Sequence, residues 1–178
     1  MALLTRQEII TALKRLGQLA AADGYTLHLV IIGGAAMVLG YDARKSTQDI
    51  DALFLPPPEG RVVRAWAMII ARENGWPDNW LNDAAKVYLT GLSDGPVLLQ
   101  APGIEARQPA IEQLLAMKLC AWRDDVDIAD ASRLLTALEP TRDRAEVWQR
   151  IVPYLVPGRE LKAQYAFEDL WESLYGNA

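Results

Sequence analysis

The tightest constraint on how this chain folds is an abrupt change of texture at residue 33. Val30-Ile31-Ile32 is β-branched and apolar; Gly33-Gly34 interrupts it, and Ala35 to Leu39 continues as a short apolar helix that Gly40 would cap. After a polar loop from Tyr41 to Gln48, which contains Arg44, Lys45 and Thr47, a second strand opens at Asp49-Ile50-Asp51 and runs to Leu55. Side chains alternate along a strand, so Asp49 and Asp51 share a face while Ile50 turns to the core. Two carboxylates that close repel each other unless a cation sits between them, and oxygen-only ligands suit Mg²⁺. The glycines let backbone pass close to a ligand, and the helix start behind them favours phosphate. These features together point to nucleotide chemistry.

In that order, Gly33-Gly34 and then Asp49 and Asp51 on the next strand, the chain resembles the DNA polymerase β-type nucleotidyltransferase superfamily. Arg44-Lys45-Ser46-Thr47-Gln48-Asp49-Ile50-Asp51 most resembles its small bacterial branch, which holds AbiEii-type toxins of toxin–antitoxin systems and uncharacterised relatives. A second patch resembles that branch's lysine and aspartate motifs: Leu114 to Leu119 with Lys118, then Arg123 and Asp127-Ile128-Ala129-Asp130. The resemblance implies an α+β fold, a nucleotidyltransferase-like mixed β-sheet with flanking helices and a C-terminal helical bundle. It implies Mg²⁺-dependent transfer of a nucleotidyl group from an NTP to an RNA, protein or small-molecule hydroxyl. In that scheme Asp49 and Asp51 hold one or two Mg²⁺ ions, and Gly33, Gly34, Arg44, Lys45 and Thr47 border the NTP. Lys118 steadies the phosphates and Asp127 orients or deprotonates the acceptor hydroxyl. A toxin–antitoxin role with an antitoxin partner follows from the same likeness. A third carboxylate is expected on a later strand; Glu105 is the candidate by position, with exposed strand surface as the other reading.

Bulk properties set outer limits. A chain of 178 residues, 51% hydrophobic and 23% charged, suffices for a well-cored domain with a helical appendix, divided here at 1–108 and 109–178. A formal charge of −5 argues against a generally cationic nucleic-acid binder, leaving the local basic loop as the phosphate contact. No apolar run approaches the roughly 20 residues that span a bilayer, and Met1 to Arg6 lacks the pattern of a secretory signal. One cysteine, Cys120, excludes an intramolecular disulfide and fits a cytoplasmic protein; its apolar neighbours place it in a core. A single histidine, His28, leaves no partners for a zinc site or a Ser-His-Asp triad.

Along the chain, Thr5 and Glu8 have capping-box spacing, and Ile9, Leu13 and Leu16 predict a helix to Ala22. Asp23-Gly24 ends it, and Tyr25 to Ile32 reads as the first strand. Pro56-Pro57-Pro58 stops the second. Arg61 to Asn74 reads as a helix with Val62, Val63, Trp66, Ile69 and Ile70 inward. Asn79 to Lys86 is either a rim that bonds to the site or a turn that packs Trp80. Val87 to Leu92, Val97 to Gln100 and Ile104 to Arg107 read as short strands. From Pro109 onward the pattern is helical. Asp124 and Asp125 suit a helix start, Asp127 and Asp130 share a face, and further helices span Arg142 to Tyr154 and Arg159 to Tyr175. The inward face of the last includes Leu161, Tyr165, Phe167, Leu170, Trp171 and Leu174.

Each site residue has a plainer reading: a solvated turn for Arg44 and Lys45, and a snorkelling side chain for Lys118. The alternative function is accordingly a non-catalytic binding or regulatory protein on the same fold. A metal-dependent hydrolase has few side chains to draw on. Neither a Gly-x-x-x-x-Gly-Lys phosphate loop nor a Gly-x-Gly-x-x-Gly fingerprint is present.

Overall fold

The computed structural model describes residues 3–123, 125–138 and 143–176, and it divides into two compact units. One is built from Met1–Lys86 and Gly95–Pro109, the other from Val87–Asp94 and Ala110–Ala178.

The first unit opens with β1 (Leu4–Thr5) and α1 (Arg6–Ala22), joined by the capping box: Glu8 N donates to Thr5 Oγ1, and Thr5 N donates to Glu8 Oε2 at 2.8 Å. Five strands form a mixed sheet: β2 (Leu27–Ile32), β4 (Ile50–Leu55), β5 (Leu81–Asn82), β6 (Val97–Ala101) and β7 (Ile104–Arg107), in the order β5-β4-β2-β7-β6. β2 runs antiparallel to β4 and parallel to β7; β5 lies parallel to β4, and β6 antiparallel to β7. Leu29, Ile31, Ile50, Ala52, Ile104 and Ala106 form one buried face, against which α1 and α3 (Gly60–Asn74) pack. β2 gives way directly to α2 (Gly33–Gly40), whose last carbonyls, Val38 O and Leu39 O, each accept from Arg6 Nη1 at 2.8 Å. That guanidinium supplies partners the helix end cannot supply for itself.

Several local expectations are corrected. The first strand begins at Leu27, because Asp23, Gly24 and Tyr25 close back onto α1 through their N–H groups. α2 starts at Gly33 and contains Gly40, with Tyr41 as its cap. The loop after it contains a strand, β3 (Ser46–Thr47), paired with β1, and Asp49 sits in a bend just before β4. On α3 the buried stripe is Val63, Trp66, Ala67, Ile70 and Ala71; Ile69 falls outside that period and is 41% exposed.

The second unit is helical: α4 (Ile111–Ala121), α5 (Asp125–Ala137), α6 (Arg144–Ile151), a 3-10 turn at Val152–Tyr154, and α7 (Glu160–Tyr175). Leu115, Leu119, Leu134, Leu135, Val147, Ile151 and Leu170 fill its core, and the Phe167 ring lies tilted between Trp148 and Trp171, with centroids 5.2 and 5.7 Å away. Leu161 and Tyr165, expected inside, are 69% and 65% exposed, because the buried stripe of α7 is Ala163, Ala166, Phe167, Leu170 and Trp171. The start of α4 is Ile111, with Ala110 as N-cap. Asp124 and the Glu139 to Arg142 junction lie outside the described residues.

Val87 to Leu92 is not a strand. Ala84–Tyr88 winds into a 3-10 helix, and the carbonyls of Thr90 and Gly91 accept from the buried Gln113 side chain at 3.0 and 3.1 Å instead of joining a ladder. Among the described residues no helix is long and apolar enough to cross a membrane.

Candidate active site

The site is assembled where β2 passes into α2. Ile32 is extended (φ −129°), and Gly33 then adopts φ +63°, a left-handed conformation costly to a residue with a Cβ. Ile32 pairs with Asp51 across the sheet, which brings Gly33 under the Asp51 carboxylate: a Cβ on Gly33 would lie 3.0 Å from Asp51 Oδ2. At Gly34 the neighbour is the Thr47 hydroxyl, which a Cβ would overlap, with Arg44 Nη1 3.3 Å from the same point. The two glycines thus form a floor on which Asp51, Thr47 and Arg44 lie. Thr47 is buried, held by the β1–β3 ladder, while Lys45 is exposed.

Ile50 is buried and its N–H donates to Trp80 O at 2.6 Å, so its two neighbours flank a fixed point of the strand. Asp49 and Asp51 are both half-buried. Asp49 Oδ2 accepts from Asn82 Nδ2 at 3.1 Å, and Asp51 Oδ1 accepts from Ala85 N at 3.2 Å. Asn82 is the in-register neighbour of Asp51 on β5, so the amide that reaches Asp49 extends from the Asp51 face. Both readings of the Asn79 to Lys86 stretch hold. Trp80 is core, 1% exposed with Nε1 donating to Ala67 O at 2.9 Å, and Asn82 bonds to the site.

Glu105 is far from this pair along the sheet. It is in register with His28, four residues back along β2 from Ile32, or roughly 13 Å at strand rise. Its neighbour is His28 Nδ1 at 3.8 Å. Among the described residues, no group of three or more His, Cys, Asp or Glu side chains is gathered to hold a metal ion.

Lys118 and Asp127 lie in the helical unit and meet there. Lys118 Nζ sits 2.9 Å from Asp127 Oδ1 and 2.7 Å from Asp130 Oδ2, and Arg123 Nε adds a contact to Asp127 Oδ2 at 3.0 Å. Both aspartates are 2% exposed. Trp122, in a left-handed conformation (φ 31°), ends α4 and turns the chain so that α5 brings Asp127 and Asp130 back to Lys118. Burial pushes the Asp127 carboxyl up, but hydrogen bonds and charge from Arg123 and Lys118 outweigh it and hold the carboxyl below the ordinary aspartate range. Burial raises the Cys120 thiol, which suits packing rather than reactivity.

Comparison with known proteins adds one finding: residues 8–139 match a family described as "Nucleotidyltransferase of unknown function (DUF6036)". No curated protein and no solved structure matches.

Proposed function

The chain belongs to this nucleotidyltransferase family, and from that premise we propose that it transfers a nucleotidyl group from an NTP to a hydroxyl acceptor, with Asp49 and Asp51 as the reaction centre. The observation that carries the proposal is that Asp51 lies against Gly33, Thr47 and Arg44 lie against Gly34, and Asn82, in register with Asp51, bonds to Asp49.

The donor set fits Mg²⁺. It offers hard carboxylate oxygens, and two protein carboxylates suffice for an ion that completes its shell with water and substrate phosphate. Asp49 and Asp51 would hold it; when bound it supplies charge stabilisation at the phosphates. The chain's own contribution is positioning. In this reading the Arg44 guanidinium, which lies against Gly34, contacts phosphate oxygens, which arginine's fork suits. In the reaction the acceptor oxygen bonds to the α-phosphorus, the bond to the bridging oxygen of the β-phosphate breaks, and pyrophosphate leaves. The hydroxyl proton passes to a carboxylate or to water.

Lys118 takes a different part in this reading. To grip a phosphate its ammonium would have to abandon two buried carboxylates, which costs several kcal/mol. The proposal therefore gives Lys118 and Asp127 the task of joining α4 to α5, and leaves the phosphates to Arg44, Lys45, Thr47 and the glycines.

The likeness of Arg44 to Asp51 to AbiEii-type toxins supports a cytoplasmic toxin–antitoxin component with RNA or protein as acceptor. Transfer of α-labelled NTP to total RNA and to protein, by wild type and by the Asp49→Asn, Asp51→Asn variant, tests this. Label that moves only with wild type identifies donor and acceptor together. A non-catalytic binding protein is the second reading, favoured by the two-carboxylate set among the described residues; it predicts no label in either product.

A further inference from the structure

We infer that Asn82 is a positioning residue for the reaction, orienting Asp49 and, through the turn it caps, Asp51. The inference rests on the reading of Asp49 and Asp51 as the cation-binding pair.

Two carboxylates two positions apart have no intrinsic reason to stay together; like charges at that spacing favour rotamers that separate them. Something must hold them, and the structure shows both tied to one short stretch. Asn82 spends its whole carboxamide there. Nδ2 donates to Asp49 Oδ2 at 3.1 Å and to Asn79 O at 3.3 Å, and Oδ1 accepts from Ala84 N at 2.8 Å. That last bond starts the 3-10 turn whose next N–H, on Ala85, reaches Asp51 Oδ1 at 3.2 Å. One arm of the side chain therefore holds the first carboxylate, and the other shapes the backbone that holds the second.

The stretch is itself anchored. On one side Trp80 is sunk into the core, its ring tilted against Trp76 with centroids 5.4 Å apart, and bonded to Ala67 O. On the other, Asp83 pairs with Lys86 at 2.8 Å and Arg64 at 3.2 Å. The Asn82 amide is a neutral donor, so it fixes Asp49 without neutralising it and leaves that carboxylate's charge for a cation. Groups that orient metal ligands from behind change metal affinity by about 10–100-fold when removed.

Asn82→Ser separates the two arms. A serine oxygen still accepts from the N–H two residues on, as in an ST-turn, but is too short to reach Asp49. Mn²⁺ alone serves as the probe, its free concentration followed by electron paramagnetic resonance. Wild type, Asn82→Ser and the Asp49→Asn, Asp51→Asn variant are compared, with melting temperatures in parallel. The expected result is Mn²⁺ binding at least about tenfold weaker in Asn82→Ser, at a melting temperature close to wild type. A merely structural asparagine would instead lower the melting temperature and leave Mn²⁺ affinity unmoved. Binding by Asn82→Ser within twofold of wild type, with the double aspartate variant binding nothing, overturns the role of Asn82 and leaves the carboxylate pair standing. Wild-type binding by the double aspartate variant overturns the pair as a cation site, and the inference with it. Should Asn82→Ser fail to fold, Ala85→Pro removes the N–H that Asp51 accepts while keeping the Asn82 side chain. It is expected to weaken Mn²⁺ in the same direction, and an unchanged affinity there counts against the inference.

Discussion

Each unit of the protein carries a pair of aspartates, and the pairs differ in their surroundings. Asp49 and Asp51 are half-buried at a strand entry and accept from a side-chain amide and a backbone N–H. Asp127 and Asp130 are 2% exposed and close on the ammonium of Lys118, with Arg123 adding to Asp127. In the proposed reading Asp49, oriented by the neutral amide of Asn82, keeps its charge for an incoming cation. A carboxylate sealed against an ammonium has its charge matched within the fold, and removing either partner leaves a costly remainder. Residue type alone does not separate these uses; burial and the identity of the donors do.

The sharpest way to break this contrast is to remove charge from each pair in turn. Lys118→Ala leaves two buried aspartates facing each other and is expected to cost about 3–5 kcal/mol in chemical denaturation. Asp49→Asn with Asp51→Asn retains an acceptor oxygen at each half-buried position and is expected to cost clearly less than Lys118→Ala. Equal losses from the two would erase the distinction. Gly33→Ala comes next. At φ +63° a methyl costs about 1–2 kcal/mol, and its closeness to Asp51 Oδ2 should also weaken Mn²⁺ binding, measured on the same samples.

Acid provides a gentler test. The Asp127 carboxyl is held low in the fold, so its contribution to stability is fully present above the ordinary aspartate value near pH 4 and is lost as pH falls through the lower folded value. Denaturation midpoints between pH 6 and pH 3 should therefore fall less steeply in Asp127→Asn than in wild type. The smallest effect expected is from Arg123→Ala. That side chain is 65% exposed, so its loss should cost no more than about 1 kcal/mol, several-fold less than loss of Lys118 from the same carboxylate.

What the sequence disclosed follows the same division between local and distant causes. The Thr5–Glu8 box, the helix it starts and the glycine break after Ile32 are encoded within a few residues and read directly. The shared face of Asp127 and Asp130 was legible from their spacing, but their closure with Lys118 into an ion-paired clasp was not, since that depends on burial. Val87 to Leu92 has the composition of a strand, yet Asn82 and Asp83 upstream wind its start, and the distant Gln113 takes its carbonyls. Glu105 looked suitable by its order in the chain; only strand register shows it beside His28 rather than Asp51. Asn82 carried a usable signal, an asparagine between a core tryptophan and a turn, but its bond to Asp49 required the pairing of β5 with β4.

The most direct test of the central claim needs no knowledge of the acceptor: the thermal stabilisation of the protein by Mg²⁺ with each NTP. A nucleotide at 100 times its Kd stabilises a fold by about 2.7 kcal/mol. The account predicts that wild type is stabilised by at least one Mg²⁺-NTP and that the Asp49→Asn, Asp51→Asn variant, folded to the same extent, is not. Equal stabilisation of both proteins, or of neither by any NTP, would contradict it.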